Sequence, residues 1–137
     1  MIAKRYHDIS CGHKVFGHES KCAYLHGHNY RIHFEIQGNI DSIGRVLDFS
    51  VIKEKLCNWI EENFDHRFLV FKDDPDALKL QAIDATILIL NFNPTAENIA
   101  KYLVEEIAPN QLKDTGCKLI KCEVEETRKC SAIYESK

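Results

Sequence analysis

Three histidines and one cysteine are the residues of this sequence best placed to do chemistry. Residues 21–38, KCAYLHGHNYRIHFEIQG, put Cys22 four positions before His26, with His28 two further on. On an extended strand alternate residues face the same way, so His26 and His28 share a side, their α-carbons roughly 6.5–7 Å apart. Two nitrogens in a tetrahedral zinc shell, each ~2.0–2.1 Å from the metal, lie about 3.3 Å apart. Imidazole rings leaning together close that gap. The H-x-H pair alone equally suits an explanation without a metal. His13, on the preceding strand, tips the balance, because hairpin neighbours bring a third imidazole to the same place. Three imidazoles without a fourth protein ligand leave a coordination position open, as catalytic rather than structural zinc sites do. Cys22 can complete the shell as a fourth ligand or stand just outside it as a base. An unperturbed thiol is only about 3% thiolate at pH 7, and a nearby dication or imidazolium raises that fraction. Spacing leaves both roles open. His7, His18 and His33 read as solvent or loop histidines.

The elements that position these residues follow from periodicity. IAKRYHDISCGHKV reads as a strand and GHESKC as a loop. From His26 the alternation is clean. His26, His28, Tyr30, Ile32, Phe34 and Ile36 fall on one face, and Asn29, Arg31, His33, Glu35 and Gln37 on the other, which means a half-buried strand. GNIDSIGR supplies the turn after it. In DFSVIKEKLCNWIEENF, Phe49, Ile52, Leu56, Trp59, Ile60 and Phe64 recur at helical spacing behind Asp48 as cap. A second helix, TAENIAKYLVEEIA, starts at Thr95 behind Pro94 and turns Ile99, Leu103 and Ile107 inward. The intervening DDPDALKLQAIDATILIL is partly irregular and ends in a short strand at 86–90. KLIKCEVEET and SAIYES give two last strands. In the former, Ile120, Cys122, Val124 and Glu126 share a face, so an acid ends an apolar row. Two strands, two helices and two strands make an α+β fold, an antiparallel sheet with its helices on one face.

Bulk properties narrow the function classes. With 137 residues and 45% hydrophobic content, the chain suits one domain, residues 1–137, burying roughly 68–70% of its unfolded surface. The net charge is −3 and the cations are scattered, which argues against a nucleic-acid partner. No apolar run approaches the ~18 residues of a membrane span, and MIAKRYHDIS lacks the apolar core of a secretory signal. Six cysteines without a CxxC pair therefore read as reduced thiols in a cytoplasm, most of them small buried hydrophobes.

Taken together, CGHKV, CAYLHGHNY, FDHRFL, NPTAENIA and VEET resemble the 6-pyruvoyl-tetrahydropterin synthase and 6-carboxytetrahydropterin synthase family, zinc enzymes of the tunnelling fold. The motifs span residues 11–127. The resemblance implies that His13, His26 and His28 ligate Zn2+ and that Cys22 is the catalytic base. It implies that Asp65 orients His66 in a proton relay. Without it, the Asp-His pair reads as polar residues at a helix end. Glu126, by the same resemblance, grips the amino-pyrimidinone edge of a pterin and couples to the relay, and a carboxylate can accept two parallel N–H bonds there. Glu97 could line the pterin site, or serve only as a first-turn acid favoured by the helix dipole.

The resemblance further implies a homo-oligomer, two trimers stacked as a hexamer, with the site at the subunit interface. The substrate implied is 7,8-dihydroneopterin triphosphate. The carboxy-forming branch, which releases acetaldehyde and triphosphate towards queuosine-type deazapurines, is favoured by the NPTAENIAKYL wording and the compact chain. The alternatives are the pyruvoyl-forming enzyme and a zinc- or pterin-binding protein without turnover. Lys14 and Arg31 are candidates for the triphosphate. Residues 72–92 are expected to form a lid or rim.

Overall fold

The computed structural model describes all residues 1–137. Strand β1 (Ile2–His13) and strand β2 (His26–Gln37) pair antiparallel along their whole lengths, from Ile2 opposite Gln37 to His13 opposite His26. The predicted alternation holds in β2: Tyr30, Ile32, Phe34 and Ile36 are buried. The histidine end of the hairpin is thus fixed by the same apolar stripe that anchors its other end. A one-residue slip would turn His26 and His28 to the opposite face.

Helix α1 runs over 49–63 and helix α3 over 96–111, each interrupted by a π-helical stretch, Lys53–Cys57 in α1 and Leu103–Ile107 in α3. Asp48 accepts the Ser50 N–H and Thr95 the Asn98 N–H, as the capping signals require. A π turn is wider than an α turn and shifts the helical phase, so adjacent residues, Leu56 with Cys57 and Leu103 with Val104, are all buried. Phe49, placed inward by spacing, is instead 60% exposed, with its carbonyl accepting from the Arg5 guanidinium. Ile52, Leu56, Ile60, Ile99 and Leu103 join the β2 stripe in one core. Each such side chain contributes about 1.5–3 kcal/mol by leaving water.

Strand β3 (Phe68–Phe71), helix α2 (Ala77–Ile83) and strand β4 (Leu88–Leu90) extend the sheet beyond β1. Strands β5 (Lys118–Glu125) and β6 (Ser131–Glu135) extend it beyond β2. The order is β4-β3-β1-β2-β5-β6. The α+β class therefore stands, with an antiparallel body of β1, β2, β5 and β6 and an added parallel wing, since β1–β3 and β3–β4 pair parallel. Residues 72–92, expected as a lid or rim, are ordered structure, and Leu80, Asp84, Thr86 and Ile87 edge a cleft beside His26 and His66. They carry α2 and β4, with Val70, Ala77 and Ile87 forming a small core of their own. Gly12 lets this wing close: a Cβ there would lie 2.6 Å from the Phe68 ring. In β5 a bulge shifts the register opposite Glu35 and Ile36. Leu119, not Ile120, is then the buried residue, while Cys122 and Val124 keep their inward positions. No helix is long and apolar enough to cross a membrane.

Candidate metal centre

His13, His26, His28 and Glu126 offer ligand atoms that all lie within 4.8 Å of one another. The tautomers follow from backbone carbonyls. His13 Nδ1 lies 2.6 Å from the Pro94 carbonyl oxygen and His26 Nδ1 lies 2.7 Å from that of Tyr24. A carbonyl only accepts, so each Nδ1 carries the proton and each Nε2 of the neutral rings presents a lone pair. Those two Nε2 atoms stand 3.0 Å apart, facing each other with no hydrogen between them. Two lone pairs at that distance repel unless a cation or a proton lies between. The third ring has no such carbonyl partner: His28 Nε2 is buried and without a hydrogen bond of proper direction, with Glu126 Oε1 at ion-pair distance, 3.0 Å.

Protons suit this place poorly. Burial depresses the pKa of His13, against the pull of the Pro94 carbonyl and Glu126, and burial likewise depresses that of His28. Neutral imidazoles with Nδ1–H donated to carbonyls are the form in which histidine binds a divalent metal. The donor set therefore fits such an ion. Tyr30 is a residue that spacing could have identified, since it continues the His26/His28 stripe. Its hydroxyl lies 3.2 Å from His13 Nδ1. Burial, with the negative charge of Glu126 beside it, holds the phenol well above its ordinary pKa.

Cys22 sits in a short 3-10 turn, Lys21–Ala23, and is half-buried. It is absent from the group of converging ligand atoms. Glu126 follows the end of β5, where its N–H donates to the Cys130 carbonyl in a turn. Its proximity to His28 was not legible from the sequence, because a bulged strand and a turn jointly determine it.

Asp65 and His66 do pair, Asp65 Oδ2 lying 2.7 Å from His66 Nδ1. Asp65 Oδ1 also accepts the Ser10 N–H at 2.8 Å. Burial raises the Asp65 pKa, but the Ser10 N–H and the His66 ring outweigh it and hold the carboxyl below its ordinary value. His66 adopts a left-handed φ of 59°, and its side chain is 81% exposed. The pair lies along the β3 side of β1, across that strand from β2, and makes no hydrogen bond to the three histidines. A cleft of about 1010 Å³ is lined by His28, Glu126, Asp65, His66 and Arg128 among others.

The two triphosphate candidates each pair with carboxylates, and Arg31 lines the cleft. Lys14 reaches Asp74 and Asp76, which offset the cost of its burial and raise its pKa. Arg31 forms a fork with Asp8 at 2.8 and 3.1 Å. Of the histidines read as solvent or loop residues, His7 contacts Glu61 and His33 contacts Glu125, both from strands, while His18 lies in the loop. Glu97 is exposed in the first turn of α3.

Residues 2–137 match the family model described as 6-pyruvoyl tetrahydropterin synthase. A curated protein of Rickettsia typhi named 6-carboxy-5,6,7,8-tetrahydropterin synthase is 39% identical over 127 residues, covering 90% of this chain and 91% of that protein. Its namesake from Rickettsia felis is 42% identical over 106 residues, covering 74% and 76%. Among solved structures, an uncharacterized protein from Wolinella succinogenes superposes with a TM-score of 0.87 at 23% identity, covering 100% of this chain and 98% of that one. The 6-pyruvoyl tetrahydropterin synthase of Caenorhabditis elegans gives 0.75 at 22%, covering 100% and 96%. These two similarities establish the fold.

Proposed function

Since the chain belongs to the 6-pyruvoyl tetrahydropterin synthase family, we propose that it is a 6-carboxy-5,6,7,8-tetrahydropterin synthase, converting 7,8-dihydroneopterin triphosphate to 6-carboxytetrahydropterin with release of acetaldehyde and triphosphate. The name carried by relatives at 36–42% identity supports the carboxy-forming branch. The observation that carries the reading is the convergence of three imidazoles, two of which, His13 and His26, face each other through Nε2 lone pairs without an intervening proton.

His13, His26 and His28 hold the ion, taken as Zn2+. Zinc bound there supplies Lewis-acid polarisation of the substrate's side-chain oxygens. Cys22, beside the cluster but outside the converging set, acts as the base that removes a proton from the side chain. Asp65, held as a carboxylate, fixes the His66 ring so that Nε2 faces outward to give or take a proton in later steps. Glu126 grips the amino-pyrimidinone edge and sets the pterin over the histidines. The exposure of the His66 side chain supports a homohexamer of two trimers, in which His66 serves the site of a neighbouring subunit. Six free cysteines suit a cytoplasmic setting.

Incubating the purified, zinc-loaded protein with 7,8-dihydroneopterin triphosphate tests this. Acetaldehyde is expected in step with triphosphate. Triphosphate without acetaldehyde would assign the pyruvoyl-forming branch instead. Neither product would leave a zinc- or pterin-binding protein.

A further inference from the structure

The motif NPTAEN contributes more than a helix start. Its first residue, Asn93, bonds the backbone of Phe16 twice. Asn93 Oδ1 accepts the Phe16 N–H at 3.0 Å, and Asn93 Nδ2 donates to the Phe16 carbonyl at 2.7 Å. The carboxamide thereby imitates the reciprocal pairing of two residues on antiparallel strands. Its own backbone is held as firmly: the Asn93 carbonyl accepts from the Thr95 N–H at 2.8 Å and from Asn98 Nδ2 at 3.0 Å.

What Asn93 joins is the point. On one side is the 93–95 turn, whose Pro94 carbonyl sets the tautomer and direction of His13. On the other is the loop between β1 and β2, which carries Cys22 and whose Tyr24 carbonyl does the same for His26. Inside that loop the Cys22 carbonyl accepts the Val15 N–H, next to Phe16, at 2.9 Å. From Phe16 to Tyr24 every other hydrogen bond is internal to the loop. Its ties to the rest of the chain are the Asn93 side chain and the His26 ring.

We propose that Asn93 is a positioning residue, which couples the thiol of Cys22 to the histidine cluster by fastening the Cys22 loop to the turn that orients His13. Asn93 touches neither the cluster nor the thiol. Its effect passes through backbone, and no other side chain could make both bonds at that reach. Aspartate keeps the acceptor but sets a second oxygen against the Phe16 carbonyl. Alanine removes both bonds. Phe16→Ala removes neither, because the clamp uses only the Phe16 main chain.

Asn93→Ala and the isosteric Asn93→Asp, compared with Phe16→Ala in the metal-loaded full chain, test this by kinetics, metal content and alkylation of Cys22 followed on its own peptide. Both Asn93 variants are expected to lose about 10–100-fold in kcat, the range found when groups that orient metal-site residues are lost. KM is expected to stay within about threefold and metal at one ion per chain, since His13, His26 and His28 remain. Iodoacetamide is expected to reach Cys22 roughly tenfold faster as the loop opens more often. Phe16→Ala should behave as wild type. Wild-type kcat in the Asn93 variants, a kcat loss matched by metal loss, or a kcat loss with unchanged alkylation would each overturn the role. Asn93's role in turnover rests on the reading of Cys22 as base, and alkylation separates the two failures. A wild type that turns nothing over but whose Cys22 becomes more reactive on Asn93→Ala has the clamp without the proposed reaction.

Discussion

Two groups of titratable side chains flank β1. On the β2 side, three imidazoles are fixed by strand register, two of them by carbonyls at 2.6 and 2.7 Å, and His13 also by burial. On the β3 side, Asp65 and His66 stand on one left-handed turn, with the His66 side chain in solvent. The first group is determined by nearly every contact around it and has its ligand atoms assembled within one chain. The second holds its internal geometry, Asp65 against His66, and shares only the cleft with His28 and Glu126, without a hydrogen bond to the histidines. A metal centre needs fixed ligand geometry, whereas a proton relay needs only a correct orientation and access to the substrate.

The largest effect should come from dismantling the buried side. His28→Ala is expected to lose the metal and reduce turnover to background, with metal content per chain as the measurement. Cys22→Ala separates the thiol from the ligands. It should keep one ion per chain while kcat falls by about 10³, within the range for loss of a general base. Loss of the ion would make Cys22 a ligand instead. His66→Ala probes the exposed side and should lower kcat by about 10² with metal unchanged. Co-refolding Cys22→Ala with His66→Ala chains sharpens the comparison. If one site draws on two chains, some sites regain both residues and activity returns. If each chain serves itself, the mixture stays as inactive as its parts.

Smaller effects concern stability. Asp65 has a folded pKa below its unfolded value, so its contribution is present above about pH 3.9 and is lost as pH falls through the folded value. Asp65→Asn should therefore lower stability at neutral pH, leave it little changed below the folded pKa, and so flatten the acid limb of a stability–pH profile. Asp48→Ala removes the cap on Ser50 and should cost about 1 kcal/mol in urea unfolding.

The buried side was also the more legible in sequence, for the same physical reason. Period-two alternation through His26, His28, Tyr30, Ile32, Phe34 and Ile36 is enforced by the core, so the pattern that builds β2 also aims its histidines. Caps at Asp48 and Thr95 were readable because their hydrogen bonds are local. What escaped was decided by tertiary context. Phe68–Phe71 is a four-residue strand with no alternation, made a strand by pairing with β1 at Gly12 and His13. The π turns bury Cys57 and Val104 out of phase, and the β5 bulge exchanges Ile120 for Leu119. Glu126 reaches His28, and Asn93 reaches Phe16, across folded distances that no spacing rule encodes. The carboxylate partners of Lys14 and Arg31, namely Asp74, Asp76 and Asp8, likewise come from segments that no spacing rule connects.

X-ray absorption at the zinc edge of the metal-loaded protein tests the account most directly. The expected first shell is three imidazole nitrogens at ~2.0–2.1 Å, completed by oxygen and free of sulfur. A scatterer near 2.3 Å, the zinc–thiolate distance, would place Cys22 in the shell and remove the base. Fewer than three imidazoles would contradict the cluster itself.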